Sequence, residues 1–354
     1  MKTTYQQLAE KLDQIPNGYP KTKSGVELKI LAKLFAEEEA ALACYLSLEL
    51  KSIAEVAELS GLEMAPTKAL LISMVKKGLI ELKKQEGKGL VFCLMPFVVG
   101  FYERQNGKID KEFAELFEEY YHEAFHEIMM VNPSVHRVIP VEKTIPVNID
   151  VMPYEKASTY LNEAKSWGVL NCICRVQKKL IGQGCDHPVE NCLAFSSKVN
   201  AFDKTDTIKE LDKVQAFKIL EEANKAGLVH TTNNAQHDVT YICNCCTCSC
   251  GVLRGISEHG SLSAVASSDF YTKVHEDLCN GCEVCVDRCQ FGAIKMEDGL
   301  SVIDVNFCFG CGLCVTNCTS NALSLLKKDE DMISTPPLSE EEWRKLRSQS
   351  RKIS

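Results

Sequence analysis

The run CNGCEVCVDRCQ, Cys279 to Gln290, recurs 29 residues later as CFGCGLCVTNCT, Cys308 to Thr319, and both space their cysteines C-x2-C-x2-C-x3-C. This is the spacing of a chain that binds two cubane iron–sulfur clusters. Three closely set thiolates wrap one four-iron core, and the fourth is carried by a short turn to the other cluster. The interleaving assigns Cys279, Cys282, Cys285 and Cys318 to one cluster, and Cys308, Cys311, Cys314 and Cys289 to the second. Gly281 and Gly310 fall in the same register of the two copies, where the backbone is expected to bend close to inorganic sulfide. Ala293-Ile294 matches Ala322-Leu323 behind each fourth cysteine. Zinc would want two pairs of ligands rather than a triplet plus one.

On these residues the segment from about Val274 to Leu326 resembles the bacterial-type 2[4Fe-4S] ferredoxins. The proline that usually follows each fourth cysteine is Gln290 in one copy and Thr319 in the other. The resemblance implies electron relay, since such clusters change oxidation state with little movement of their ligands. It implies no substrate site.

The chain has 354 residues, 25% charged and 45% hydrophobic, as expected of a soluble protein with room for two or three separate cores. Its longest apolar stretch, Leu90 to Phe101, is broken by Pro96 and falls short of the roughly 20 residues of a membrane span. The polar N-terminus MKTTYQQLAEKLDQ lacks the apolar run of a secretory signal. The 19 cysteines sit in tight metal-type spacings, which points to a reducing cytoplasm rather than a secreted disulfide scaffold. Oxygen sensitivity of so many cluster ligands suggests an anaerobic or facultative host. A formal charge of −8 argues against a general nucleic-acid binder.

Toward the N-terminus, Glu37 to Leu46 is expected as a helix. Ser52 opens another with a capping box to Glu55, and Pro66 starts a third that stops at Gly78. The following LIELKKQEGKGLVFCLM makes two strands about a turn at Glu86 to Gly89. Helix, helix–turn–helix and β-wing, over roughly residues 25 to 100, resemble a winged-helix domain. DNA recognition is one reading and protein docking the other. Docking is favoured, because residues 1–130 carry 16 Lys and Arg against 20 Asp and Glu, and the candidate recognition helix offers only Lys68, Lys76 and Lys77.

Asp110 to Val131 is expected as one long helix, and within it His122-Glu123-Ala124-Phe125-His126 matches H-E-x-x-H, a zinc-hydrolase motif. At 100° per residue, Phe113, Phe117, Tyr120, Ala124 and Ile128 share one face, which puts both histidines on the solvent side. Met129 and Asn132 stand where an extended motif needs Gly and His, so no hydrolase site is expected. Pro133, Pro140, Pro146 and Pro153 punctuate the next stretch, read as a linker or interdomain strand. The tail from Ser334, with a short helix capped at Ser339 and a basic end, is read as a solvated end, with a docking peptide as the alternative.

Nine further cysteines lie between: Cys172, Cys174, Cys185 and Cys192, then Cys243, Cys245, Cys246, Cys248 and Cys250 in ICNCCTCSCG. Free core cysteines do not arrive in alternate positions along a Gly-rich loop, so metal binding is expected. Four thiolates match one cubane and five match another with one spare. One cluster shared by both groups, a structural zinc, or a less common cluster using the Cys245-Cys246 pair remain open. Arg175 is positioned to donate hydrogen bonds to sulfide, and His187 is read as part of a capped turn more readily than as a ligand. A helix between the groups is expected to open with Thr207 and Glu210 as its capping box. The N-C-x-C-R unit with I-C-N-C-C ahead of a dicluster ferredoxin resembles iron–sulfur proteins of anaerobes, implying an electron-carrying role in a larger redox assembly.

The expected architecture is therefore α+β. It comprises a winged-helix-like domain (1–130), a linker (131–155), a cysteine-rich metal-cluster domain (156–262), a 2[4Fe-4S] ferredoxin domain (263–330) and a tail (331–354). No complete Gly-rich dinucleotide fingerprint is present, since GQG at Gly182 to Gly184 lacks the third glycine. The chain is expected to carry two [4Fe-4S] clusters, with one or two more in the middle region, and to pass electrons between redox partners, flavoproteins foremost. Residues 263–330 hold 10 acidic against 5 basic residues, so a basic docking patch on the partner is expected. The rival readings are a redox-sensing transcription regulator using the winged helix, and an enzyme with an open iron.

Overall fold

The computed structural model describes residues 2–147, 149–203, 205 and 207–353. They form two compact units, Met1–Ile128 with Arg347–Ser354, and Met129–Leu346.

In the first unit, α1 (Thr4–Asp13), α2 (Val26–Leu34) and α3 (Glu37–Ala43) lead to a short β1 (Lys51–Ser52), α4 (Ile53–Ser60) and α5 (Met64–Lys77). The hairpin β2 (Ile80–Gln85) and β3 (Gly89–Leu94) completes a three-stranded sheet in the order β1-β3-β2. Local chemistry sets these ends. Ser52 Oγ accepts from Glu55 N while Ser52 N donates to Glu55 Oε2, closing the capping box of α4. Gly78 ends α5 at φ +79°.

The long helix is interrupted. After α6 (Lys111–Tyr120), capped by Asp110, the chain makes a π turn over Tyr121–Phe125 and resumes as α7 (His126–Met129). The extra residue of a π turn rotates everything after it, so Tyr121 and Phe125 join Phe113, Phe117, Tyr120, Ala124 and Ile128 in the core. His122 is exposed and pairs with Glu118 at 3.1 Å. His126, expected on the solvent face, is half-buried, with Nδ1 2.9 Å from Tyr121 O. The basic end is no solvated tail either. Arg347 is fully buried and donates to Pro16 O and Ile128 O.

The second unit is built on a seven-stranded mixed sheet in the order β10-β4-β8-β9-β6-β5-β7. Its strands are β4 (His136–Ile139), β5 (Ser166–Asn171), β6 (Glu190–Ser196), β7 (Lys209–Leu211), β8 (Val229–Asn233), β9 (Tyr241–Cys245) and β10 (Val265–Ala266). Helix α8 (Ala157–Glu163) and α10 (Lys213–Lys225) pack on it through Leu161, Tyr160 and Ala216 against Leu193, Phe195 and Ile242. The stretch expected to link domains thus contributes β4, whose four residues are all buried. The expected cap at Thr207 and Glu210 gives way to Asp212 and Gln215, because Lys209–Leu211 pairs with β5 as an edge strand. Behind β4 lies a buried ion group: Arg137 bonds Glu155 and stands 3.6 Å from Asp269.

Two short helices, α9 (Ile173–Leu180) and α11 (Arg254–Ser257), flank the cysteine-rich strands. Beyond them β11 (Phe270–Val274) pairs antiparallel with β14 (Leu323–Lys327), and β12 (Ile294–Glu297) with β13 (Leu300–Ile303); α12 (Val284–Arg288) lies in the first cysteine run. Trp343, on the part of α13 (Glu340–Ser350) that belongs to this unit, is buried, and its Nε1 donates to Ser134 O. Among the described residues no helix is long and apolar enough to cross a membrane.

Candidate metal centres

Each cysteine run leaves one strand and enters another, so the two hairpin-like pairs hold the runs side by side. Two small cavities of about 20 Å³ each result. Cys279, Cys282, Cys285 and Cys318 line the first, with Ser301 and Leu323. Cys289, Cys308, Cys311 and Cys314 line the second, with Thr272, Phe291 and Phe309. Both cavities therefore draw three thiols from one run and one from the other. Between them lies a small apolar core of Ile294, Leu323, Val274 and Ile303.

The donor set and its surroundings suit a four-iron cluster. Backbone N–H groups of Ala293, Ala322 and Thr272 point at the sulfurs of Cys289, Cys318 and Cys308 at 3.3, 3.2 and 3.4 Å, as outer hydrogen bonds to bound thiolates do. Burial pushes the thiol of Cys314 up to about 12, so a thiolate there needs a cation beside it. The glycines serve the backbone as well as any sulfide. Gly281 and Gly310 both sit at φ +68°, and a Cβ there would stand 2.5 Å from Gly299 O and 2.1 Å from Phe270 O.

Gln290, which replaces the usual proline, has its own role. Its Oε1 accepts from Thr247 N and Thr247 Oγ1 at 3.1 and 3.0 Å, and its Nε2 donates to Gly227 O. A proline offers none of these bonds. Thr319 is exposed, and nothing in the structure explains it.

The structure regroups the nine middle cysteines. The expectation of a four and a five, divided by sequence position, fails because the sheet register crosses the two segments. ICNC, Ile242 to Cys245, is the end of strand β9 rather than a loop, so alternate residues Cys243 and Cys245 share a face. The register that pairs Leu193 with Ile242 sets Cys192 beside Cys243. Cys172 precedes α9 and Cys174 lies in its first turn. The thiols then neighbour one another in a ring: Cys172 lies near Cys174 and Cys192, Cys243 near Cys192 and Cys245, and Cys250 near Cys174 and Cys245. Cys174 and Cys192 hold the Cys172 thiol well below its ordinary range, while the same contacts push Cys174 and Cys192 well above theirs.

Arg175 is wholly buried beside this ring. It donates from Nη1 to Pro188 O and Asn191 Oδ1, both at 2.9 Å, and from Nη2 to Asn244 O at 2.6 Å. Burial alone would lower its pKa, but the negative charge of Cys172 and Cys246 outweighs this and holds it above the ordinary value. A buried guanidinium is costly unless it is hydrogen-bonded and opposed by charge, and thiolates of this ring, when metal-bound, would supply that charge. The other three thiols, Cys185, Cys246 and Cys248, gather with His187 at a separate point. Sequence spacing favoured a turn for His187; only the chain's return at Cys246 reveals its company.

Residues 272–295 match the family model described as "4Fe-4S binding domain". An uncharacterized ferredoxin of Methanocaldococcus jannaschii is 33% identical over 78 residues, which is 22% of this chain and 43% of the relative. The chain thus spans less than half the length of that relative. No solved structure matches. The second unit accordingly contains a metal-binding, iron–sulfur segment of ferredoxin type.

Proposed function

We propose that this chain relays single electrons between redox enzymes, through a bacterial-type dicluster ferredoxin segment and a further cluster in the six-thiol ring. The observation that carries the reading is the lining of the two C-terminal cavities, each by three cysteines of one run and one of the other. In this reading Cys279, Cys282, Cys285 and Cys318 ligate one [4Fe-4S] cluster, and Cys308, Cys311, Cys314 and Cys289 the second. Cys172, Cys174, Cys192, Cys243, Cys245 and Cys250 hold iron and sulfide beside Arg175. A bound cluster supplies one-electron exchange at nearly fixed ligand positions. The chain's own part is to fix those thiolates, donate N–H groups to them and exclude water with Phe291, Phe309 and Leu313.

Flavoproteins of an anaerobe's cytoplasm, docking a basic patch on the acidic C-terminal segment, are the partners this reading names. The first unit, with its winged-helix-like order of elements, serves as a docking module. Lys77 is committed to the buried Glu39 at 2.6 Å, and the start of α5 presents exposed Met64 beside Leu62, which suits a protein surface better than phosphates. The test is anaerobic purification of the full chain, with iron and acid-labile sulfide counted and the reduced protein followed by electron paramagnetic resonance. At least about 12 irons per chain, reducible in one-electron steps, are expected at four per cubane. Fewer than about eight irons, or clusters that no low-potential reductant reduces, would overturn the relay.

A further inference from the structure

We infer that Cys185, His187, Cys246 and Cys248 form a mononuclear zinc site, separate from every iron–sulfur cluster of the chain. The ligand atoms of all four lie within 4.8 Å of one another. Cys185 Sγ is 3.9 Å from Cys246 Sγ, and His187 Nδ1 is 3.4 Å from Cys185 Sγ and 3.8 Å from Cys248 Sγ. These separations decide the nuclearity. Around one tetrahedral zinc with Zn–S of about 2.3 Å and Zn–N of about 2.0–2.1 Å, the edges come to about 3.8 Å between sulfurs and about 3.6 Å between sulfur and nitrogen. A cubane binds its thiolates through four different irons at the corners of an eight-atom core, so its ligand sulfurs stand farther apart than one ion requires.

The donor chemistry agrees. Three thiolates and an imidazole form one of the ligand sets that structural zinc uses, and with four protein ligands no coordination position is left for a substrate. The ligands are also pre-placed. Cys246 is buried against Ala223 and Leu228 directly after β9. His187 is followed by Pro188, whose carbonyl is held by the buried Arg175. Ser249 Oγ lies 3.5 Å from Cys185 Sγ and 3.9 Å from Cys248 Sγ, the place of an outer hydrogen bond that orients a ligand. Cys246 and Cys248 come from the turn that also carries Cys245 and Cys250 of the ring and Thr247, the anchor of Gln290. Zinc here would pin that turn to Cys185, 61 positions earlier in the sequence than Cys246. The site stands whether or not the chain relays electrons.

The test is metal analysis of the anaerobically purified full chain and of three single variants. About one zinc per chain is expected in the wild type. His187→Ala and Cys248→Ser should each lose that zinc and keep iron and sulfide. His187→Cys, which restores a fourth ligand, should keep it, which separates ligation from misfolding. In the ring, Cys172→Ser should lose iron and sulfide and keep zinc. Cobalt taken up in place of zinc should give the visible spectrum of a tetrahedral thiolate site in the wild type and lose it in Cys248→Ser. The inference is overturned by a wild type without zinc, by one extra iron in its place, by zinc retained in both ligand variants, or by loss of about four irons and four sulfides from Cys248→Ser.

Discussion

Replacing Gly310 with Ala isolates one contact on which the second C-terminal cavity depends. An alanine there must adopt φ +68° and set its Cβ 2.1 Å from Phe270 O and 2.2 Å from Ser268 Oγ, both far inside contact distance. Gly292 supplies the control, at φ +65° with nothing within 4 Å of an added Cβ. The left-handed conformation costs an L-residue about 1–2 kcal/mol, and both variants carry that cost. Only Gly310→Ala adds the overlap, about 1–3 kcal/mol for an extra methyl in a packed site. It also strains the bonds from Ser268 Oγ to Gly310 O and from Ser268 N to Phe309 O, at about 1 kcal/mol each. The difference between the variants is therefore about 3–5 kcal/mol, concentrated where Cys308, Cys311 and Cys314 meet β11. Iron, sulfide and the thermal loss of visible absorption would be measured on anaerobic full-length protein. Gly292→Ala should keep its full complement, and Gly310→Ala should lose about four irons and four sulfides. A Gly310→Ala protein with full iron and the melting temperature of Gly292→Ala would refute the claimed approach of the loop to Phe270.

Two further outcomes follow from named contacts. Cys318→Ala should convert the cluster of Cys279, Cys282 and Cys285 to a three-iron or labile form and spare the other; a spectrum in which it instead abolishes the signal that depends on Cys311 would show that each run closes its own cluster. Burial pushes Glu155 up to about 7 against the pull of Arg137. The folded chain thus holds a proton between about pH 4.5 and 7 that the unfolded chain releases. Its contribution to stability is full below about 4.5 and is lost as pH rises through 7, about 3 kcal/mol in all. Glu155→Gln should remove that slope, so melting curves of wild type and variant that stay parallel from pH 5 to 8 would contradict it.

Local chemistry was legible in the sequence alone. The capping box of Ser52 and Glu55, the stop at Gly78 and the hairpin turn near Glu86 to Gly89 each rest on residues a few positions apart, where covalent geometry leaves few choices. The repeated C-x2-C-x2-C-x3-C spacing belongs to the same class, since three thiolates within seven residues can reach one cluster by local folding. The π turn at Tyr121–Phe125 escaped because a fixed 100° step cannot register one inserted residue. The start of α10 moved to Asp212 because β5 claimed the preceding residues for an edge strand. The division of the nine middle cysteines was decided by tertiary structure. Cys192 meets Cys243 through a strand register, and Cys185 with His187 meets Cys246 and Cys248 only when the chain returns along β9. Arg347 and Trp343 read as solvated tail for the same reason. Their burial depends on partners such as Pro16, Ile128 and Ser134, more than 200 residues away, and no local pattern of polarity encodes a contact that only the folded chain brings together.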